Sequence, residues 1–448
     1  MNEGVLMVTQ PSGDASPSAW VAAMQLARGQ WTDVTLPGPT GDSNGPLVLR
    51  GGQVFDTTTR TFRAVEVSID KGRFISLAPD PSPGQQEIDC TGSFIVPGLI
   101  DCHVHLSGSG DPQELNSARA TPLPQRAWKA EGYAKATLHA GFTTVRDLGA
   151  ADRLNIEMAR AIESGLFEGP RMLAAGLGVT MTGGHGHGFL ATEADGPDAV
   201  RKAVREQLRA GATAIKLFAS GGVMTAGVDP RSPSFTEEEM RAGVEEAHKA
   251  FRTVGAHAQA TEGIKNAIRA GVDSIEHGVW LDAEAIELML QRGTYLVATL
   301  TAPYQIAHCG LEAGIPPYMV DKGWQVLASH EESFANAVKA GVNIAMGTDQ
   351  GTPVNRPGEN AQEIVRMVSL GMSTAAALMA STAWAAELLQ ISDEVGRIEP
   401  GLAADALVLA RNPLEDIQVL TDQSAIRAVI QAGRVVRSSL PTNEESNT

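Results

Sequence analysis

The sequence predicts an α/β protein, a (β/α)₈ TIM barrel carrying a small β-sandwich that both terminal segments build together. In the middle of the chain, short apolar runs alternate with helical stretches. Strand-rich segments of a different pattern flank that middle, and 448 residues hold a barrel of about 250 residues plus a satellite. The expected parts are an extension over 1–45, sandwich over 46–96, barrel over 97–390, sandwich again over 391–440 and a tail over 441–448.

Residues 1–45 are rich in Pro, Gly, Ser and Asp, apart from Ala19–Trp31, where Trp20, Met24, Leu26 and Trp31 suit one helix face. Two readings stay open for this stretch: a helix packed on the body or on a neighbouring subunit, or a partly ordered arm. From Pro46 the runs LVLRGGQVFD, FRAVEVSIDKGRFISLAP and EIDCTGSFIVPG alternate apolar and polar residues between Gly, Pro and Asp, which predicts antiparallel strands. DALVLARNP and IRAVIQAGRVVR repeat the pattern near the C-terminus.

The middle repeats a helix, a glycine and a β-rich run, as at Gly141, Gly211, Gly271, Gly293 and Gly341. Glycine past a helix end supplies a left-handed cap, and the run after it reads as a parallel strand buried on both faces. Thr236 with Glu239 forms a capping box ahead of Met240, Val244, Ala247 and Phe251, which recur at helical spacing. The strands are IVPGLIDCHVH, TTVRDLG, RMLAAGLGV, TAIKLFAS, TVGAHAQ, SIEHG, YLVATL and NIAMGTD. A doubly wound open sheet is disfavoured, because no glycine-rich phosphate loop follows the first strand.

The formal charge of −17 argues against nucleic acid or an anionic membrane as partner. Cys90, Cys102 and Cys309 form no CxxC pair, so a reducing cytoplasm is the expected location. The N-terminus lacks the pattern of a signal peptide, and no apolar run is long enough to span a membrane.

In such barrels, reactive groups stand at the C-terminal ends of the strands. His103 and His105 end the first strand, and their i, i+2 spacing puts both imidazoles on one face. Lys216 ends the fourth strand, His257 the fifth, His277 the sixth and Asp349 the eighth. Taken singly, each has an ordinary explanation as a core histidine, a snorkelling lysine or a turn aspartate. Their coincidence at equivalent strand ends argues for a site that binds metal.

The motifs PGLIDCHVH (97–105), GGHGHG (183–188), IKLF (215–218) and His257-Ala258 through Gly263 occur in order. IEHG (275–278), GTD (347–349) and GLAAD (401–405) follow. With them the chain resembles the metal-dependent amidohydrolase superfamily, in the imidazolonepropionase-related branch with prolidase-like dipeptidases and ochratoxinase-like amidases. The resemblance runs from about Pro46 to Arg437.

It implies two divalent ions, zinc being the expected metal, with His103, His105 and Asp349 on one, His257 and His277 on the other, and a carboxylated Lys216 bridging them. It further implies a metal-bridging hydroxide as nucleophile, Asp349 as the proton carrier, and His185 or His187 as donor to the tetrahedral oxyanion. Tyr304 and Arg356, with Arg231 and Tyr318, are candidates for binding a substrate carboxylate. His139, His248 and His330 read as structural, and His308 as a residue of the pocket mouth. Near the eighth strand the chain reads Asn355-Arg356-Pro357-Gly358-Glu359-Asn360, where similar enzymes often carry a His-Gly pair.

The expected activity is hydrolysis of the amide bond of an N-acyl amino acid or dipeptide. Aryl amides, ureas, carbamates or an imidazolone-type lactam are alternatives, and a metal-free scaffold is the reading from outside enzymology. The resemblance also implies a homo-oligomer, commonly an octamer.

Overall fold

The computed structural model describes residues 45–77, 86–114 and 120–440. The predicted 1–45 extension, with Trp20, Met24, Leu26 and Trp31, lies outside the described residues except for its last position, and so does the 441–448 tail. Both ends of the described chain meet in one sheet, whose strands run in the order Arg434–Ser438, Ile426–Gln431, Ala406–Leu409, Phe94–Pro97, Gln53–Asp56 and Thr61–Ala64. A second sheet orders Arg73–Ser76, Val67–Asp70, Leu47–Arg50 and Gln86–Asp89. Alternation decides which side faces in: Val67 and Ile69 are buried while Ser68 and Asp70 are half-buried. Leu49, Phe74, Ile88, Ile95, Val408 and Ile430 pack into a single core that draws on both sheets.

The pairing here is mixed, against the antiparallel expectation. Leu47–Arg50 runs parallel to Gln86–Asp89, and Gln53–Asp56 parallel to Phe94–Pro97. Parallel neighbours need a long connection, and the intervening strands supply it in both cases.

The middle is a parallel sheet in two runs. Leu99–Val104, Phe142–Asp147 and Arg171–Ala174 form the first. Gly178–Thr180, Ala214–Phe218, Thr253–Ala258, Ser274–His277 and Tyr295–Val297 lie in the second. Backbone hydrogen bonds link the runs, from Thr213 N to Ala174 O (2.9 Å) on one side. On the other, segment 343–350 bonds to Leu296 and to Cys102, His103 and His105. Every residue of Leu99–Val104 is buried, as a strand covered on both faces must be.

Three predicted strands differ in detail. IVPGLIDCHVH divides at Gly98, where a side chain would overlap Thr143. RMLAAGLGV divides at Gly176, whose φ of 72° turns the chain out of extended geometry. NIAMGTD forms no regular strand: Ile344 makes an isolated bridge to Leu296, and Gln350, just past the run, makes one to Val104.

The capping box at Thr236 and Glu239 forms as predicted, and helices 197–210 and 261–270 end at left-handed Gly211 and Gly271. The long helix Pro317–Ala340 packs through Met319, Val320 and Val326 on Val223, Val279 and Ile306. Among the described residues no helix is long and apolar enough to cross a membrane.

Candidate metal centre

His103 and His105 project from the end of strand Leu99–Val104, and the strand is held in register by a buried carboxylate. Asp101 accepts from His103 N (3.0 Å), Thr348 Oγ1 (2.7 Å) and Asn360 Nδ2 (2.8 Å), tying the first strand to the segment that carries Asp349. Burial pushes the Asp101 carboxyl up to about 6 even so. Asp349 sits at φ 60°, a left-handed conformation uncommon outside glycine, fixed by its own N–H donating to His103 O at 2.7 Å. His277 is left-handed as well, at φ 74°.

Each of the four histidines donates one ring N–H to a partner, which settles its tautomer. His103 Nδ1 meets the Glu276 carboxylate at 2.7 Å, and His105 Nδ1 meets the Gly149 carbonyl at 2.8 Å. His257 uses Nε2 on the Gly221 carbonyl at 2.9 Å. His277 Nδ1 lies 2.6 Å from Thr299 Oγ1, whose own proton is directed to Ala298 O. His103, His257 and His277 therefore keep the second nitrogen as a lone pair. Burial, the leading cause, brings His103 down to about 4 and holds His257 and His277 well below the ordinary range, so these rings are neutral. At His105 burial acts the same way, but the Asp349 carboxylate outweighs it and raises the group.

The Asp349 carboxylate lies 3.4 Å from His103 Nε2 and 3.2 Å from His105 Nε2. Ligand atoms of these three residues fall within 4.8 Å of one another, close enough to share one cation. Burial disfavours the Asp349 anion, yet His103, His105 and Lys216 hold it well below the usual carboxylate range. The His257 and His277 rings lie 4.5 Å apart, with His277 5.3 Å from His103. Lys216 is buried, its Nζ 3.4 Å from His103 Nε2, and burial brings its amine down to about 8. Behind His103, Glu276 is bound by Arg146 at 2.9 Å, and both are fully buried. Burial works against the Glu276 anion; Arg146 and His103 outweigh it and bring it down to about 2.

These groups open into a cavity whose walls include Phe189, Leu190, Phe218, Val223, Met224 and Ile306. His185 enters from the glycine-rich loop and stacks 4.5 Å from the His257 ring.

The amidohydrolase family model matches residues 94–436, three quarters of the chain and all of the site residues just described. The chain belongs to the amidohydrolase family. Ochratoxinase of Aspergillus niger is 35% identical over 377 residues, covering 77% of this chain and 75% of its own. The crystal structure of an Xaa-Pro dipeptidase with methionine bound in its active site superposes with a TM-score of 0.80 at 33% identity, over 87% of this chain and 99% of that one. A prolidase complexed with N-methylphosphonate-L-proline gives 0.82 at 34% identity, over 88% and 100%. This amidohydrolase is thus a hydrolase of amide carbon–nitrogen bonds with a TIM-barrel-type α/β fold, in a family that is generally metal-dependent.

Of the residues singled out in the sequence, the structure brings His103, His105, Lys216, His257, His277, Asp349 and His185 to this cavity. It does not bring His187, Tyr304 or Arg356 to the cavity wall. His187 Nδ1 turns to its own loop, at Gly184 O (2.8 Å). Tyr304 is stacked under the Arg366 guanidinium at 3.5 Å, because its helix gives Ala302, Pro303 and Ile306 to the cavity instead. Arg356 is exposed, and Arg231 is paired with Asp229. His139 and His248 pair with Glu168 and Asp273, and His308 packs between Tyr304 and Trp324. His330, read as structural, lines the cavity and bonds His277 O through Nε2 at 2.9 Å. Sequence reasoning missed Asp101, Arg146 and Glu276. All are charged residues inside apolar strand runs, which was the available signal.

Proposed function

We propose that this amidohydrolase is a dinuclear, zinc-dependent enzyme cleaving amides that carry an apolar or aromatic group next to the scissile bond. The single observation that carries the reading is the convergence of His103, His105, Asp349, His257, His277 and Lys216 on one buried cavity with an apolar wall. The residues fit a metal pair, since four imidazoles, each with one ring N–H committed to a partner, turn their second nitrogen toward the site beside one carboxylate, and His103, His257 and His277 are neutral. In this reading Lys216 is carboxylated. An unmodified ammonium beside His103 offers no lone pair, whereas the carbamate that its free amine would form with carbon dioxide, releasing a proton, would offer two oxygen ligands. When bound, the metals supply an acidified water as nucleophile and polarise the substrate carbonyl.

The chain's own residues do the rest. Asp349 takes up the proton of the nucleophile and returns it to the leaving nitrogen. The two histidines of the glycine-rich loop separate here, His185 rather than His187 serving as the oxyanion donor. Thr225 Oγ1, which accepts from Gly186 N at 3.1 Å, lies 2.8 Å from His185 Nδ1, and in this reading its proton is directed to that nitrogen. That leaves Nε2–H for the developing oxyanion. Burial brings His185 down to about 3, so it acts as a neutral donor.

The fold reading that goes with this is a full (β/α)₈ barrel, its eighth position filled by segment 343–350, with the two terminal sheets forming a β-sandwich. Our leading substrates are N-acyl amino acids and dipeptides with a hydrophobic residue. Neutral aryl amides form the second reading, favoured by the apolar wall and by Tyr304 and Arg356 standing away from it. The assembly we propose is a homo-oligomer.

Metal analysis of freshly purified protein, paired with a screen of N-acyl amino acids, dipeptides and aryl amides, tests this. About two zinc per chain with amide turnover is the expected result. One metal or fewer and no amide cleaved would overturn it.

A further inference from the structure

The loop that follows strand Ala214–Phe218 reaches three different parts of the site. Gly221 O accepts from His257 Nε2 at 2.9 Å. Gly222 lies flat against His185, so that a Cβ there would stand 2.5 Å from its Nε2. Thr225 Oγ1 orients the same imidazole at 2.8 Å, and Val223 and Met224 wall the cavity.

This loop is tied from outside by helix Pro317–Ala340. Lys322 Nζ donates to three of its carbonyls, Gly222 O at 3.2 Å, Thr225 O at 2.7 Å and Val228 O at 2.5 Å. An ammonium has three N–H donors and no acceptor, so the three carbonyls use it completely. One turn earlier, Tyr318 OH donates to Met224 O at 3.0 Å, and its ring faces Lys322 at 5.7 Å. Tyr318, a sequence candidate for binding a substrate carboxylate, has its hydroxyl committed to this loop.

We propose that Lys322 is a positioning residue that clamps segment 221–228, setting the oxyanion donor His185 and the apolar wall at Val223 and Met224 together. The kinetic part rests on the amide-hydrolase reading above; the structural part does not. A lysine that merely covered the surface would not converge on three carbonyls of a single loop. Because one clamp serves both the donor and the wall, releasing it lowers turnover and weakens binding of bulky apolar groups at once. A displacement of about 1 Å in such a site can cost about 100-fold in rate.

The test is Lys322→Met in the full-length, metal-loaded enzyme, with Tyr318→Phe as the milder variant. Hydrogen exchange of peptides covering 219–234 should quicken about tenfold or more in Lys322→Met, and less in Tyr318→Phe, with helix 317–340 and the thermal midpoint little changed. kcat should fall about 10-fold to 100-fold, and KM should rise more for amides with large apolar groups than for small acetyl amides. Should Lys322→Met not fold, Lys322→Arg is measured in its place, since it keeps donors but cannot match three carbonyls with one ammonium. Unchanged exchange in 219–234 overturns the clamp. Quickened exchange with equal kinetic effects on small and large amides overturns its part in specificity. If the wild-type enzyme cleaves no amide, the functional reading fails while the exchange result still decides the clamp.

Discussion

The two halves of the candidate metal centre are built differently. His103, His105 and Asp349 are drawn together by backbone bonds between the first strand and segment 343–350, and His103 is backed by the ionised Glu276. His257 and His277 lean on neutral oxygens, the Gly221 carbonyl and the Thr299 hydroxyl. One half thus carries its own anion in the sequence. In the proposed reading the other would take its anion from a modified Lys216, 3.4 Å from His103. Under the proposed dinuclear reading, folding alone would prepare one cation position and leave the second to chemistry on a lysine.

Removing the shared carboxylate should have the largest effect. Asp349→Asn is expected to lower kcat by about 1,000-fold or more, because in the proposed mechanism it would remove both a ligand and the proton carrier, as steady-state kinetics would show. Lys216→Ala sharpens the comparison most directly. It should cost the second metal while sparing the first, so elemental analysis would fall from about two metals per chain to about one; loss of both would mean that the halves are not independent. Glu276→Gln asks whether the better-backed half needs its backing. A drop of about 10-fold to 100-fold in metal affinity or activity is expected, measured by competition with a chelator.

The smallest effect is sought away from the metals, at Glu363. It accepts from Leu300 N and Thr301 N, both at 2.8 Å, at the start of the helix that lines the cavity with Ala302 and Ile306. Burial raises its carboxyl from 4.5 to about 7. A carboxyl raised in the folded state contributes stability that is full below about pH 4.5 and is lost as pH rises through 7. Between pH 5 and pH 8 this amounts to on the order of 2 kcal/mol. Glu363→Gln should flatten the fall of the thermal midpoint over that interval, and an unaltered pH profile would remove Glu363 from the account.

Much of this protein was legible in the amino-acid sequence because periodicity is local. The strand runs, the capping box at Thr236, the glycines after five of the helices, and the i, i+2 pair at His103 and His105 depend only on near neighbours in the chain. So did the ligand candidates, since a polar group at the end of a buried strand stands out wherever it occurs. What tertiary structure decided is which way side chains outside that periodicity face. Tyr304 turned to Arg366, Arg356 to solvent and His187 to its own loop, while His330 came to the cavity. The ring nitrogen each histidine leaves as a lone pair was decided by distant partners, Glu276 for His103 and Gly221 for His257, separated by 173 and 36 residues. Burial did the rest: once the fold removes water, Arg146 and Glu276 solvate one another and Asp101 is held by Thr348 and Asn360.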